Sequence, residues 1–257
     1  MKLIVAHYHL RPGGIRRVIE LATPHIVRAF DGNIDSVKLA CGEANDREWN
    51  SDFRKALQGV SVEFLIDPAL KYFSGQKRSP GQVAGRIRAA LGKILDGASA
   101  DGCLVWAHNL GIGRNLLLTR ELTRACAERN IPLIAHHHDW WFDNRWARWR
   151  EMRRCGFRTL QAVAETIFPP YPNLCHIAIN RADAGTLRRH FRGSADWLPN
   201  LTEPAPAPTH ARARAARKWL DAQLGERGAP VWILPCRLLR RKNIAEALLL
   251  TRWLRPA

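Results

Sequence analysis

The sequence predicts an α/β fold, a doubly wound parallel sheet with helices on both faces. Three observations carry this. Short apolar runs alternate with amphipathic stretches up to about residue 200. Runs such as "KLIVAHY" and "GCLVWAHN" are almost wholly apolar, as strands buried on two faces must be. Loops after these runs, two of them carrying glycine pairs, lead directly into helices, where open sheets of this class bind ligands.

The elements follow in order. "KLIVAHY" is the first strand, and a helix spans about Ile15 to Phe30, with Ile15, Val18, Ile19, Ala22 and Ile26 on one face. "IDSVKLA" and "VSVEFLI" read as two further strands. A helix over 80–96 starts at Pro80 and buries Val83, Ile87, Leu91, Ile94 and Leu95. Next come "GCLVWAHN", a helix from about Arg114 to Arg129, "IPLIAHHHD", an irregular basic-aromatic stretch and "NLCHIAIN". A helix from Arg181 to His190 and the run "ADWLPN" close the series at about residue 200.

From Leu201 the character changes. "LTEPAPAPTHARARAA" has little to bury and reads as a linker, 201–213. Residues 214–257 then restart the strand–loop–helix pattern and stop. A full α/β domain needs on the order of 100 residues or more, so the reading is a first domain over 1–200 and a truncated second one. The last helix then leaves Ile244, Leu248, Leu249, Trp253 and Leu254 uncovered, and self-association or a poorly ordered C-terminus is expected.

Composition narrows the class. With 46% apolar and 25% charged residues the 257-residue chain is globular rather than disordered. No run approaches the roughly 20 apolar residues of a membrane-spanning helix, and the N-terminus is not shaped like a signal peptide, so a cytoplasmic protein is predicted. The six cysteines are scattered with no C-x-x-C spacing and read as buried structural thiols. The net charge of +17 favours anionic partners. Only eight of the 40 basic residues are lysines and the arginines are spread along the chain, without a specific nucleic-acid motif.

Four loops carry candidate chemistry. In "HLRPGGIRR", Gly13 and Gly14 precede a helix N-terminus, which admits a phosphate, a sugar or simply a tight turn; neither G-x-G-x-x-G nor a Walker lysine is present. "HNLGIGRN" places Asn109 and two further glycines after a strand. In "LIAHHHDWWF", His136 and His138 share a strand face and His137 takes the other. The spacing fits no zinc pattern and a metal would need ligands from elsewhere, so no metal is expected. A histidine bonded to a substrate hydroxyl, with Asp139 as the nearest carboxylate for acid–base work, is the functional reading. Backbone-bonded histidines at a strand end are the plain one. In "PCRLLRRKN", Arg237 and Lys242 suit a diphosphate. "RWARWREMRRCGFR", if helical, sets aromatic residues beside arginines, as a membrane surface or an anionic acceptor would require, or else packs as an ordinary helix.

The order of these loops, from "PGGIRRVIELA" through "IPLIAHHHD", "CHIAINRADAGTL" and "WLPN" to "LPCRLLRRKNIAEALLL", resembles retaining glycosyltransferases of family 4. Those enzymes have the GT-B fold, two Rossmann-like domains facing a cleft. The resemblance implies transfer of a sugar from a nucleotide-sugar donor to an acceptor (a glycan, a lipid-linked or a small molecule), with no cofactor and no required metal. It further implies that Gly13 and Gly14 lie near the donor phosphate and the acceptor and that His138 contacts the donor sugar. Arg237 and Lys242 would bind the diphosphate and stabilise the leaving group. His9 and Asn109 are taken as acceptor-side residues, and His138 with Asp139 as the catalytic pair. The family's E-x7-E element is absent, so this chain alone is expected to have little transferase activity. A second reading, from a different class, is a non-catalytic basic α/β module on an anionic polymer or a membrane surface. An NAD-type enzyme is disfavoured by the incomplete glycine fingerprints.

Overall fold

Among the described residues seven strands form one sheet: β1 (Lys2–Ala6), β2 (Ser36–Cys41), β3 (Ser61–Ile66), β4 (Cys103–His108), β5 (Leu133–His137), β6 (Leu174–Ala178) and β7 (Ser194–Trp197). In this computed structural model every neighbouring pair is parallel, in the order β3-β2-β1-β4-β5-β6-β7. The predicted doubly wound Rossmann-like sheet is therefore present. The structure describes residues 1–190, 194–203, 207–225, 227–228, 231, 233 and 243–254, without the side chains of 144 and 145. The chain divides into two compact units, 1–202 and 203–257.

Central strands are buried on both sides because both faces are covered. Leu3, Val5, Val37, Leu39 and Trp106 meet α1 (Gly14–Ala29) and α2 (Arg47–Ala56) on one face. Ile4, Val105, Ala107 and Ala135 belong to the larger core, with α3 (Pro80–Ile94), α4 (Leu116–Glu128), α5 (Arg145–Arg154), α6 (Leu160–Ile167) and α7 (Arg181–His190). The edge strands are the polar ones: β3 exposes Ser61 and Glu63, and β7 exposes Ser194 and Asp196, which discourages edge-to-edge pairing.

Local signals explain the helices. α3 begins where Pro80 predicts, with a capping box in which the Ser79 hydroxyl accepts from the Gln82 N–H and the Gln82 side chain accepts from the Ser79 N–H. All five of its predicted core residues are buried. α2 is a helix that the sequence reading passes over. Its stretch is polar, but Trp49, Phe53 and Leu57 recur at i, i+4 and i+8 and are all buried, and Asp46 caps it by accepting from the Trp49 N–H at 2.6 Å. The basic-aromatic stretch is helical in α5, and its apolar side is divided. Met152 is fully buried, whereas Trp146 is 77% exposed.

Of the five described cysteines, Cys41, Cys103, Cys126 and Cys155 are buried and Cys175 is half-buried. Burial pushes the thiols of Cys126 and Cys155 up to about 12, so they are inert hydrophobes. Much of the arginine excess is committed to ion pairs. Buried Glu121 is held by Arg88, Arg120 and Arg124, and Glu151 by Arg114 and Arg148.

In the second unit, α8 (His210–Leu224) starts inside the segment read as a linker. Thr209 caps it, and Gly225 ends it in the left-handed region. α9 (Ile244–Trp253) exposes Leu248, Leu249 and Trp253. No helix among the described residues is long and apolar enough to cross a membrane.

Candidate functional site

The strand order reverses between β1 and β4. The loop after β1 runs to α1 on one face of the sheet, and the loop after β4 runs to α4 on the other. The chain thus parts at the carboxyl ends of these strands, where open α/β sheets bind their ligands. Register decides what lies there. Ala6 pairs with Ala107 and Ala107 with Ala135, so one residue on, His7, His108 and His136 form a row across three strands. His138 follows on the same face as His136, two residues further along.

These rings are in contact. His108 Nδ1 lies 3.0 Å from His138 Nε2, and the His136 and His138 ring centres are 4.2 Å apart. His7 Nδ1 lies 3.2 Å from the His108 carbonyl oxygen and donates to it. At the mouth, His138 Nδ1 is 3.2 Å from Asn200 Oδ1, so the Pro-Asn of "WLPN" meets the "HHHD" segment across 62 residues of sequence. His137, on the opposite face as expected, pairs its Nε2 with His176 Nδ1 at 2.9 Å and stacks on Trp140.

Asn109 holds the centre of this arrangement. It occupies the left-handed region at φ 59°, which asparagine tolerates, and it is buried. Its Oδ1 accepts from the backbone N–H of His138 at 2.7 Å and of Asp139 at 3.1 Å, and its carbonyl accepts from Tyr8 Oη at 3.3 Å. Asn109 therefore ties three strand ends together. His9 Nε2 lies 3.1 Å from Tyr72 Oη, and Arg114 sits 4.2 Å over the Tyr72 ring.

Burial dominates the electrostatics. It lowers His7 and His136 to about 3, and His138 to about 4 against the opposing pull of Asn200 and Asp139. His108 and His137 are held well below the ordinary histidine range by burial and by neighbouring imidazoles. At neutral pH the whole row is uncharged. Neutral imidazoles donate and accept hydrogen bonds and ligate metals, but they are not a source of positive charge.

The glycine pair lies on the open side. Gly13 is extended, an added Cβ at Gly14 would meet nothing within 4 Å, and α1 starts without a side-chain cap or an acidic residue. Access, rather than backbone strain, is what these glycines provide. Gly111 is different, since a Cβ there would come within 2.9 Å of His137 Nδ1 and 2.8 Å of the Trp140 ring. Beyond Asp139, an apolar groove of about 350 Å³ runs between Trp140, Phe142, Leu160, Phe168 and Leu187.

The structure thus brings His9, Asn109, His138 and Asp139 to one end of the sheet. Arg237 and Lys242 lie outside the described residues. The sequence reading does not single out His7, His108, Tyr72, His176 or Asn200 as site residues. His108 had a local signal, since it alternates with Trp106 in "WAHN", but its partners become visible only with strand order and register.

The first unit is a Rossmann-like domain with a polar, histidine-lined site at its switch point. No family model matches the chain. The chain is 24% identical over 258 aligned residues to the mannosylglucosyl-3-phosphoglycerate synthase of Petrotoga mobilis, covering 97% of this chain and 48% of that protein. It therefore spans about half the length of this curated relative. Two solved structures of UGT2 from Phytolacca americana are also similar. The apo form has a TM-score of 0.44 and 15% identity, over 86% of this chain and 54% of that one. The complex with UDP-2fluoro-glucose and pterostilbene has a TM-score of 0.46 and 14% identity, over 86% and 57%.

Proposed function

We propose that this chain is the acceptor-side half of a retaining glycosyltransferase of the GT-B type, which uses a nucleotide-sugar donor. The observation that carries the reading is the similarity, along nearly the whole chain, to a synthase whose named product is a glycosylated phosphoglycerate. The site supports it. His138, its Nδ1 held by Asn200, presents an Nε2 that can exchange His108 for a sugar hydroxyl and accept from it, and Asp139 follows it directly. The uncapped N-terminus of α1 with Gly13 and Gly14 leaves backbone N–H groups for a donor phosphate. Arg237 and Lys242 are assigned to the diphosphate on their spacing in the sequence and on the family resemblance. A net charge of +17 favours capture of an anionic acceptor, and a glycosylated 3-phosphoglycerate is the first compound to test.

The experiment is a titration of the full chain with UDP- and GDP-sugars and with glycosylated 3-phosphoglycerates, followed by mass-spectrometric detection of product. Sugar-nucleotide binding that is weakened in His138→Ala and acceptor binding that is weakened in His9→Ala, with little turnover by the chain alone, are expected. Robust turnover would overturn the assignment to an acceptor-side half. Binding of no sugar nucleotide and no phosphorylated glycoside, together with salt-dependent binding to nucleic acid or anionic vesicles, would favour the basic binding module instead.

A further inference from the structure

We infer that His108, His136 and His138 form a binding site for a divalent transition metal of the zinc class, under the mouth of the switch-point crevice. The sequence reading expects no metal, because two histidines from one strand are too few and the further ligand has to come from elsewhere. The sheet supplies it. β4 lies beside β5 with His108 in register with His136, and one ring nitrogen from each of the three histidines lies within 4.8 Å of the others. Nitrogens bound at about 2.0–2.1 Å to one tetrahedral ion stand roughly 3.3 Å apart. His108 Nδ1 and His138 Nε2, at 3.0 Å, are already close to that spacing. Ring rotation has to close the remaining separation, from within 4.8 Å to the tetrahedral spacing.

Three independent features point to a ligand at this place. His136 is fully buried and loosely partnered: neither ring nitrogen makes a well-formed hydrogen bond among the described residues, and the Leu198 backbone supports the ring. A buried imidazole in that state is unusual in a folded protein, and coordination would give one of its nitrogens a partner. His138 is arranged as metal-bound histidines are. Asn200 Oδ1 accepts from Nδ1–H, which fixes the tautomer and leaves the Nε2 lone pair directed at His108. His108 presents Nδ1 to the same point and carries its proton on Nε2 when it ligates. Finally, the donor set is three imidazoles without a thiolate, which suits zinc and its first-row neighbours rather than magnesium or calcium. Three protein ligands leave a fourth position, and half-buried His138 lies on the solvent side of it.

The site does not depend on the transferase reading, and its test uses metal alone. The full chain, stripped by a chelator, is titrated with Co2+ and then with Zn2+. One equivalent of Co2+ is expected to give the visible bands of a four-coordinate nitrogen site, and Zn2+ to displace it. After gel filtration, elemental analysis is expected to find one zinc per chain. His138→Gln abolishes the one-equivalent site, and Asn200→Ala, which keeps all three imidazoles, weakens it roughly 10- to 100-fold. His25→Gln, at an exposed histidine on α1, leaves it unchanged. Circular dichroism checks the fold of each variant, and Asn200→Ala carries the decision if His138→Gln does not fold. The inference is overturned by the absence of a one-equivalent site, by Co2+ binding that survives His138→Gln or is not weakened in Asn200→Ala, or by loss of binding in His25→Gln. A chain that binds zinc here but binds neither a sugar nucleotide nor a phosphorylated glycoside refutes the proposed function and leaves the metal site standing.

Discussion

Asn109→Ala tests how the crevice is held together. Two costs follow from the structure. Alanine in the left-handed region at φ 59° is strained by about 1 kcal/mol relative to asparagine. The backbone N–H groups of His138 and Asp139 lose their shared acceptor, at about 1 kcal/mol each in this partly buried setting. The total is about 3 kcal/mol, which lowers the Tm of a domain this size by roughly 6–12 °C. Asn109→Gly loses the same acceptor but not the conformational freedom, so it is expected to sit about 1 kcal/mol above the alanine variant. Urea unfolding followed by tryptophan fluorescence measures both, read on the main transition with the slope held common. A loss below about 0.5 kcal/mol in Asn109→Ala would refute the assignment of Asn109 as the tie between strand ends. Equal losses in the alanine and glycine variants would refute the strain component.

Other perturbations separate neighbouring causes. Gly42→Ala places a Cβ 2.6 Å from the Lys71 nitrogen and 2.8 Å from the Tyr8 carbonyl oxygen; both are backbone, so a loss of about 2–3 kcal/mol is expected in urea unfolding. His176, lowered by burial to about 4, binds its proton less readily when folded than when unfolded. Its contribution is complete above about pH 6.5 and is lost as pH falls toward 4, at about 1.4 kcal/mol per pH unit and roughly 3 kcal/mol in all. His176→Phe is expected to flatten that part of the stability–pH curve. Glu121→Gln removes the charge at the centre of three half-exposed arginines. Because the arginines can return to water, a loss of about 1–2 kcal/mol is expected rather than the larger cost of stranding a buried charge, and denaturation at two salt concentrations checks it.

The fold was legible because its physics is local. Apolar runs with no polar side mark strands covered on both faces, and the five apolar residues of α3 recur at helical spacing before the structure is seen. α2 escaped because the sum of its residues is polar and its apolar face rests on Trp49, Phe53 and Leu57 alone. The site was legible only in part. That His136 and His138 share a face follows from strand geometry, but that His108 lies beside them follows from β4 pairing with β5, which no local pattern encodes.

The same limit explains why one residue can carry two assignments. At the switch point the apolar strands give way to a row of imidazoles, and each ring is positioned by a residue from a different strand or loop. Asn200 lies beyond β7, Asn109 beyond β4, and His108 opposite β5. His138 is therefore held firmly enough to meet a sugar hydroxyl and is also directed at a point near ring nitrogens of His108 and His136. Zinc and sugar must then either occupy His138 in turn or share it through different nitrogens. Nδ1 is committed to Asn200, so only Nε2 is left for either ligand. The two are expected to compete: saturating zinc should weaken the binding of any sugar ligand that depends on His138. Unchanged sugar affinity in the zinc-loaded chain would show that the sugar does not use His138.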